Sequence, residues 1–325
     1  MQEIAVIGAG VMGLATARAL SRRGLDSVVY EQFEQGHDRG SSHGRSRIFR
    51  LAYGEEEYVR LAQESLGLWR ELEAETGETL LELNGLLEIV RTLEESTART
   101  LEACGVEWHR LGADEAERRY PIHVPKGSFA VLQPEAGIVR ADKALAALAR
   151  DLDVRYQTRI RPDELEAEVV VVVTAGSWVN ELLEEPLPVK VTRETVCYFR
   201  PENGRPIPSL VSFKPESHTH DMYSLADPVH GLKVGAHHAG PAVDPNEPGE
   251  PEPRLVEQIA SWTRETYRLA EPDPVAAETC LYTTTPDEAF ILERRGRLVI
   301  GSPCSGHGFK FAPAIGERLA ELVTG

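Results

Sequence analysis

Ile4-Ala5-Val6-Ile7-Gly8-Ala9-Gly10-Val11-Met12-Gly13, near the start of the chain, is a short apolar run that stops at three spaced glycines. Leu14, Ala15, Ala17, Ala19 and Leu20 then supply the packed face of a helix. A strand, a glycine loop and a helix in that order make a dinucleotide-binding turn. Gly8 permits the tight bend, Gly10 lets a pyrophosphate approach the backbone, and Gly13 lets the helix pack closely on the strand. The helix start offers amide donors and a positive dipole end to the phosphates. A second strand, Ser27 to Tyr30, delivers Glu31 to the place where a carboxylate accepts ribose hydroxyls and disfavours a phosphate on that ribose. The motif by itself does not separate FAD from NAD.

The chain of 325 residues is 42% apolar, enough for a sizeable core in one large domain or two interleaved ones. Against 35 basic side chains stand 52 acidic ones, a formal charge of -17 that repels a phosphate backbone, so no nucleic acid partner is expected. Val169 to Val173, the longest valine-rich run, is too short to span a bilayer, and no basic leader precedes an apolar segment. A cytoplasmic protein with no membrane partner is expected. Cys104, Cys197, Cys280 and Cys304 show no Cys-x-x-Cys spacing, so neither a metal site nor a disulfide framework is indicated.

Further along, Ser41 to Arg50 is polar, basic and glycine-containing, which suggests a loop or helix start facing an anion or else a solvated basic turn. Leucines and Trp69 at helical spacing predict a long amphipathic helix over Glu57 to Glu75. Strands are expected over Leu80 to Val90 and Ser128 to Gln133, with helices around Thr92 to Cys104 and Ala113 to Arg119 between them. A helix over Asp142 to Leu148 and a weak strand near Val154 to Thr158 precede Val169 to Val173. The continuous β-branched residues there read as a strand buried on both faces of a parallel sheet, with its exit, Thr174-Ala175-Gly176-Ser177, close to the cofactor. Pro188 to Arg200, Ser209 to Phe213, Tyr223 to Leu225 and Gly231 to His237 alternate like strands of an antiparallel sheet. A helix over Leu255 to Leu269, a strand over Leu298 to Gly301 and a last helix from Pro313 through Leu322 complete the reading.

Four segments carry a resemblance: Ser41 to Tyr53, Gly231 to His237, Cys280-Leu281-Tyr282-Thr283, and Ser305-Gly306-His307-Gly308-Phe309-Lys310-Phe311. Together, and in order along essentially the whole chain, they resemble the monomeric sarcosine oxidase and N-methyl-amino-acid oxidase family. The interval Val154 to Val169 is shorter than that family's usual excursion. The resemblance implies an α/β fold: a Rossmann-like FAD-binding domain with an interleaved α+β substrate domain containing a mostly antiparallel sheet. The expected partition is 1–85, 138–187 and 278–325 for FAD, and 86–137 and 188–277 for substrate. It also implies a monomer that oxidises the carbon–nitrogen bond of an N-alkyl amino acid and passes the electrons to dioxygen, giving hydrogen peroxide, an aldehyde and a demethylated amino acid. Sarcosine is the expected substrate, with N-methyl aromatic and cyclic secondary amino acids as alternatives. A NAD-dependent dehydrogenase would leave the three later segments unrelated, and a noncatalytic flavoprotein would keep the fold without turning over amines.

Residue roles follow from the same resemblance. Cys280 matches the position joined to the flavin through a thioether, a bond that a thiolate is suited to form; Cys304 is expected only to pack nearby. Lys233 matches an oxygen-activating ammonium at the flavin face, and His237 a residue on the substrate side. Arg50 and Lys310 match a clamp for the substrate carboxylate. Arg47 matches a basic group beside the flavin ring, and Tyr53, Tyr223 and Tyr282 match pocket walls. Ser42, His43, Gly176, Gly306, His307, Gly308, Phe309 and Lys310 are expected to join Gly8, Gly10, Gly13 and Glu31 around the cofactor, with His307 in a wrapping loop rather than as a base.

Overall fold

Val170–Val173 is buried on both faces at the centre of a six-stranded sheet, flanked by Ile4–Ile7 on one side and Leu298–Ser302 on the other. A computed structural model describes residues 3–201, 207–213, 219–269, 271–302 and 304–325 of the chain. Val28–Tyr30 and Asp153–Arg155 extend the parallel sheet beyond Ile4–Ile7, and Ile291–Arg295 closes the opposite edge in antiparallel pairing. This is the arrangement the continuous apolar runs predict, because crossover elements cover both faces of a parallel sheet. The helix Val11–Arg22 follows the first strand and buries Leu14, Ala15, Ala17, Ala19 and Leu20, the face its spacing predicts.

The second sheet has eight strands in the order Ala276–Thr284, Lys190–Phe199, Gly231–Ala236, Met222–Asp227, Ser209–Ser212, Leu86–Val90, Phe129–Gln133 and His109–Leu111. Its pairings are antiparallel except that between Ser209–Ser212 and Leu86–Val90. The segment containing Cys280, placed from sequence with the nucleotide-binding part, is hydrogen-bonded along its length to Lys190–Phe199 in this second sheet. One face of the sheet is covered by the helix Pro253–Thr266, against which Cys197, Phe199, Leu232 and Val234 pack. The other face is therefore left for a ligand.

Several local expectations are corrected. Ser46–Phe49, read as loop or helix start, is a strand paired with Gly137–Arg140 in a small three-stranded sheet. The single strand expected over Leu80 to Val90 divides into Leu81–Glu82 and Leu86–Val90, which belong to different sheets. The helix expected over Thr92 to Cys104 is a 3₁₀ turn, Leu93–Glu95, and a shorter helix, Ala98–Ala103. Strand and helix ends elsewhere move by a few residues, as capping and pairing rather than hydrophobic pattern set them. Among the described residues no helix is long and apolar enough to cross a membrane.

Candidate active site

One cavity of about 740 Å³ runs from the glycine turn to the open face of the second sheet. At its first end Gly8 has φ +104, a conformation natural to glycine, and a Cβ there would lie 2.6 Å from the Thr174 carbonyl oxygen. A Cβ on Gly13 would lie 1.9 Å from the Gly8 oxygen, so helix and turn touch only because both positions lack side chains. Glu31, buried at the end of the second strand, accepts the Ala9 amide at 2.9 Å and the Phe33 amide at 3.0 Å. Each carboxylate oxygen keeps further acceptor capacity. Ser42 Oγ accepts the Val11 amide at 3.1 Å, which joins the Ser41 to Arg47 segment to the start of the helix. His43 is driven down to about 3 by burial and then by the Arg47 and Lys233 charges, so its ring is neutral; its Nε2 is buried without a hydrogen bond among the described residues. A side-chain-free cradle, a buried ribose-seeking carboxylate and an orphaned imidazole nitrogen along one elongated cavity fit an extended dinucleotide.

The middle of the cavity is built by strand register. Lys233 pairs with Tyr198, Glu194 pairs with Cys280, and residues two apart share a face, so Lys233, Tyr198, Glu194, Glu278, Cys280 and Tyr282 lie on the same side of the sheet. That side is opposite the helix-covered one. Lys233 is buried, and desolvation, followed by the Arg47 charge, lowers its ammonium to about 8; Cys280, Glu278 and Asp227 oppose the shift. Tyr198, whose ring lies 5.8 Å from the Lys233 nitrogen, donates to Glu278 Oε2 at 2.8 Å. Burial pushes the Cys280 thiol up, while Arg47 and Lys233 pull it back. The Arg47 guanidinium is spent on carbonyls: it donates to Ser46 and Ser41 at 2.9 and 2.7 Å and also to His43, so it shapes its own loop. It also faces the Phe309 ring at 5.6 Å.

At the far end Tyr53 assembles the cations. Lys310 Nζ donates to the Tyr53 hydroxyl at 2.8 Å and to the His307 carbonyl at 2.7 Å, and the Arg50 guanidinium lies 4.4 Å from the centre of the Tyr53 ring. The Lys310 backbone is held in turn, because Trp69, the most bulky fully buried side chain, donates its indole N–H to the Lys310 carbonyl at 2.9 Å. Burial, then Arg50, holds the Lys310 ammonium well below the usual lysine value. Burial, then neighbouring His238, Arg50, His307 and Lys310, keeps His237 neutral at pH 7. His307 is likewise lowered to about 3 by burial first and Lys310 second. A Cβ on Gly306 would come within 2.4 Å of the Tyr282 ring and 2.7 Å of the His237 ring, so this loop closes on both because it is glycine. Tyr282 is buried and Tyr223 half-buried, with hydroxyls pushed above the usual tyrosine range mainly by desolvation.

The structure thus brings to the lining of one cavity Gly8, Gly10, Glu31, Ser42, His43, Arg47, Arg50, Tyr53, Gly176, Tyr223, Lys233, His237, Cys280, Tyr282 and Gly306 to Lys310. Gly13 stands apart and contributes through packing. Three carboxylates were missed by sequence. Glu194 is buried and accepts the Ala239 and Gly240 amides at 3.0 and 2.9 Å, fixing the turn after His237. Glu278 reaches Lys233 through Tyr198, and Glu88 is fully buried, accepts the Thr97 hydroxyl and amide, and is raised by desolvation against the pull of Thr97 and Arg50. A single acid inside the apolar run Leu86 to Val90 was the available signal for Glu88.

Comparison with known proteins agrees with this geometry. The family model described as FAD dependent oxidoreductase matches residues 3–322. Human peroxisomal sarcosine oxidase is 34% identical over 359 residues, covering 98% of this chain and 90% of the relative. Monomeric sarcosine oxidase of Bacillus sp. is 30% identical over 359 residues, covering 99% and 92%. Among solved structures, the open form of NikD, an unusual amino acid oxidase essential for nikkomycin biosynthesis, superposes with a TM-score of 0.86 at 26% identity, covering 99% of this chain and 94% of that one. With its dinucleotide cradle, its two-sheet cavity and these relatives, the chain belongs to the FAD-dependent oxidoreductase family, as an amine oxidase related to the sarcosine and N-methyl-amino-acid oxidases.

Proposed function

We propose that this enzyme oxidatively demethylates sarcosine or a closely related N-methyl amino acid. The carrying observation is the pair of cations, Arg50 and Lys310, held against one tyrosine at the end of the cavity opposite the glycine turn. An arginine fork and a lysine suit a carboxylate, whose negative charge would favour the ammonium form of Lys310 against the burial and the Arg50 charge that lower it. The Arg50 field favours the neutral form of the adjoining amine, which is the form that gives up electrons. His237 and His307, both neutral, border that end without adding charge.

FAD, when bound, would supply a two-electron acceptor for oxidation of the substrate carbon–nitrogen bond and a route for those electrons to dioxygen. Two electrons and two protons leave the amine and reappear in hydrogen peroxide, and water then splits the imine into aldehyde and demethylated amino acid. Gly8, Gly10, Glu31, Ser42 and His43 would hold the nucleotide, and Gly176, Gly306, Gly308 and Phe309 would border it. Lys233 supplies a buried positive charge for the oxygen step, which burial makes stronger than it would be in water. In this reading Cys280 carries the flavin through a thioether. That assignment is supported by its place beside Arg47 and Lys233, which favour the thiolate against desolvation. The reading keeps the expected monomer in the cytoplasm.

N-methyl aromatic or cyclic secondary amino acids form the second reading, favoured by the cluster of Tyr53, Tyr58, Phe290 and Phe311 around His307. An anaerobic panel of N-methyl amino acids, read by bleaching of the flavin spectrum, tests both. Sarcosine is expected to bleach the flavin fastest. Faster bleaching by a bulky or cyclic member replaces the first reading with the second, and no bleaching by any member overturns both.

A further inference from the structure

His237 and His238 are consecutive, and along a regular strand their side chains would point to opposite faces. The strand ends at Ala236, and His238 has φ +52, a left-handed conformation uncommon outside glycine. The consequence is that both imidazoles lie on one side, with ring centres 4.0 Å apart. Glu194, by accepting the next two amides, holds the backbone in that turn. Glu288 also has a positive φ, +59, and lies in the connection between Ala276–Thr284 and Ile291–Arg295. Its backbone carbonyl is 3.3 Å from His307 Nε2, which leaves the carboxylate directed to the histidine pair. Two unrelated loops thus adopt costly conformations and meet at one point, the kind of strain that persists at functional sites.

We propose that His237, His238 and Glu288 form a binding site for one divalent transition-metal ion, of the zinc class, at the mouth of the substrate end of the cavity. One ligand atom from each of the three lies within 4.8 Å of the other two. His238 Nε2 is 3.5 Å from Glu288 Oε1 and makes no hydrogen bond among the described residues. Donors about 2.0 to 2.1 Å from a tetrahedral ion stand about 3.3 Å from one another, so this pair is already near its bound spacing. Glu288, with 55% of its side chain exposed, can make the remaining adjustment. Imidazole and carboxylate suit zinc, nickel or copper better than calcium or magnesium. His237 Nδ1 is 3.4 Å from the Tyr282 hydroxyl, and when it donates there the lone pair lies on Nε2. Three protein ligands leave a fourth position open, and two of the three, His237 and Glu288, line the cavity.

A bound ion would pin the loop after Gly231–Ala236 to the loop before Ile291–Arg295 and obstruct the passage beside Tyr282 and His307. The metal-binding claim stands apart from the substrate reading; only the obstruction rests on it. The test is calorimetric titration of zinc chloride into chelator-stripped holoenzyme, for the native sequence, Glu288→Gln and His238→Asn. Asparagine is chosen because it tolerates the left-handed backbone. One zinc per chain is expected, with affinity falling about tenfold or more in each variant, since each loses a charged or strong donor. Absence of binding to the native enzyme, or equal affinity in all three proteins, overturns the site. In a second arm, zinc should slow anaerobic flavin bleaching by sarcosine in the native enzyme and have at least several-fold less effect in Glu288→Gln. Equal slowing in both overturns the obstruction while the calorimetry still decides the site, and failure of sarcosine to bleach without zinc speaks only against the substrate reading.

Discussion

Lys233 shows how far one side chain can be specified. Its ammonium is buried on the sheet face that borders the cavity, and desolvation lowers it to about 8 against the opposing pull of Cys280, Glu278 and Asp227. The charged form therefore prevails below about pH 8 and is lost as pH rises through that value. If the charge assists oxygen, reoxidation should be fast on the acid side of that pH and slow on the alkaline side. Lys233→Met keeps the length and deletes the charge. We expect stopped-flow reoxidation to slow about a hundredfold to a thousandfold, or roughly 2.7 to 4 kcal/mol, with the pH step abolished and anaerobic reduction by substrate largely kept. Reoxidation at the native rate would remove Lys233 from the oxygen step. The lysine was legible in the sequence only through the family resemblance, because an alternating strand offers a lysine equally to solvent. Its partners Tyr198 and Glu278 were not, since they come from strands more than thirty residues away in the chain.

At the scale of elements, the first strand, glycine turn and helix form a unit whose fit depends on absent side chains. Gly13→Ala would drive a methyl carbon into the Gly8 oxygen, 1.9 Å away, and lie 2.7 Å from Thr174 Oγ1. The helix must then lift from the strand, at a cost of about 1 to 3 kcal/mol for overpacking, and the cradle opens with it. Gly67→Ala makes the same change in the exposed interior of Glu56–Thr76, where a Cβ meets nothing within 4 Å. There the loss of unfolded-state freedom should stabilise by about 0.4 to 1 kcal/mol. Thermal unfolding and flavin content after gel filtration are the measurements: Tm and flavin should fall in the first variant, and Tm should rise slightly with flavin unchanged in the second. Flavin content and Tm unaltered by Gly13→Ala would mean that the close contact is not what shapes the cradle.

For the whole molecule, the cavity has one wall from the parallel sheet and its loops and another from the mixed sheet, and Cys280 stands on the second. A thioether there would bind the strand Ala276–Thr284 to a flavin whose nucleotide end rests on the first sheet. Cys280→Ser should keep FAD bound under native conditions but release it on acid precipitation, with yellow supernatant and colourless pellet; flavin retained in the mutant pellet would exclude Cys280 as the tether. The sequence by itself determined the glycine turn, the central valine strand, the long Trp69 helix and the antiparallel character of Gly231–Ala236, because local period and backbone sterics decide such features. It did not determine that Ser46–Phe49 would pair with Gly137–Arg140, that Leu81–Glu82 and Leu86–Val90 would part into separate sheets, or that Glu194 would hold the turn that brings His237, His238 and Glu288 together. Those are pairings between distant segments, and only the tertiary structure decides them, because a hydrogen bond or a buried charge is satisfied by whichever partner the packed chain brings within reach.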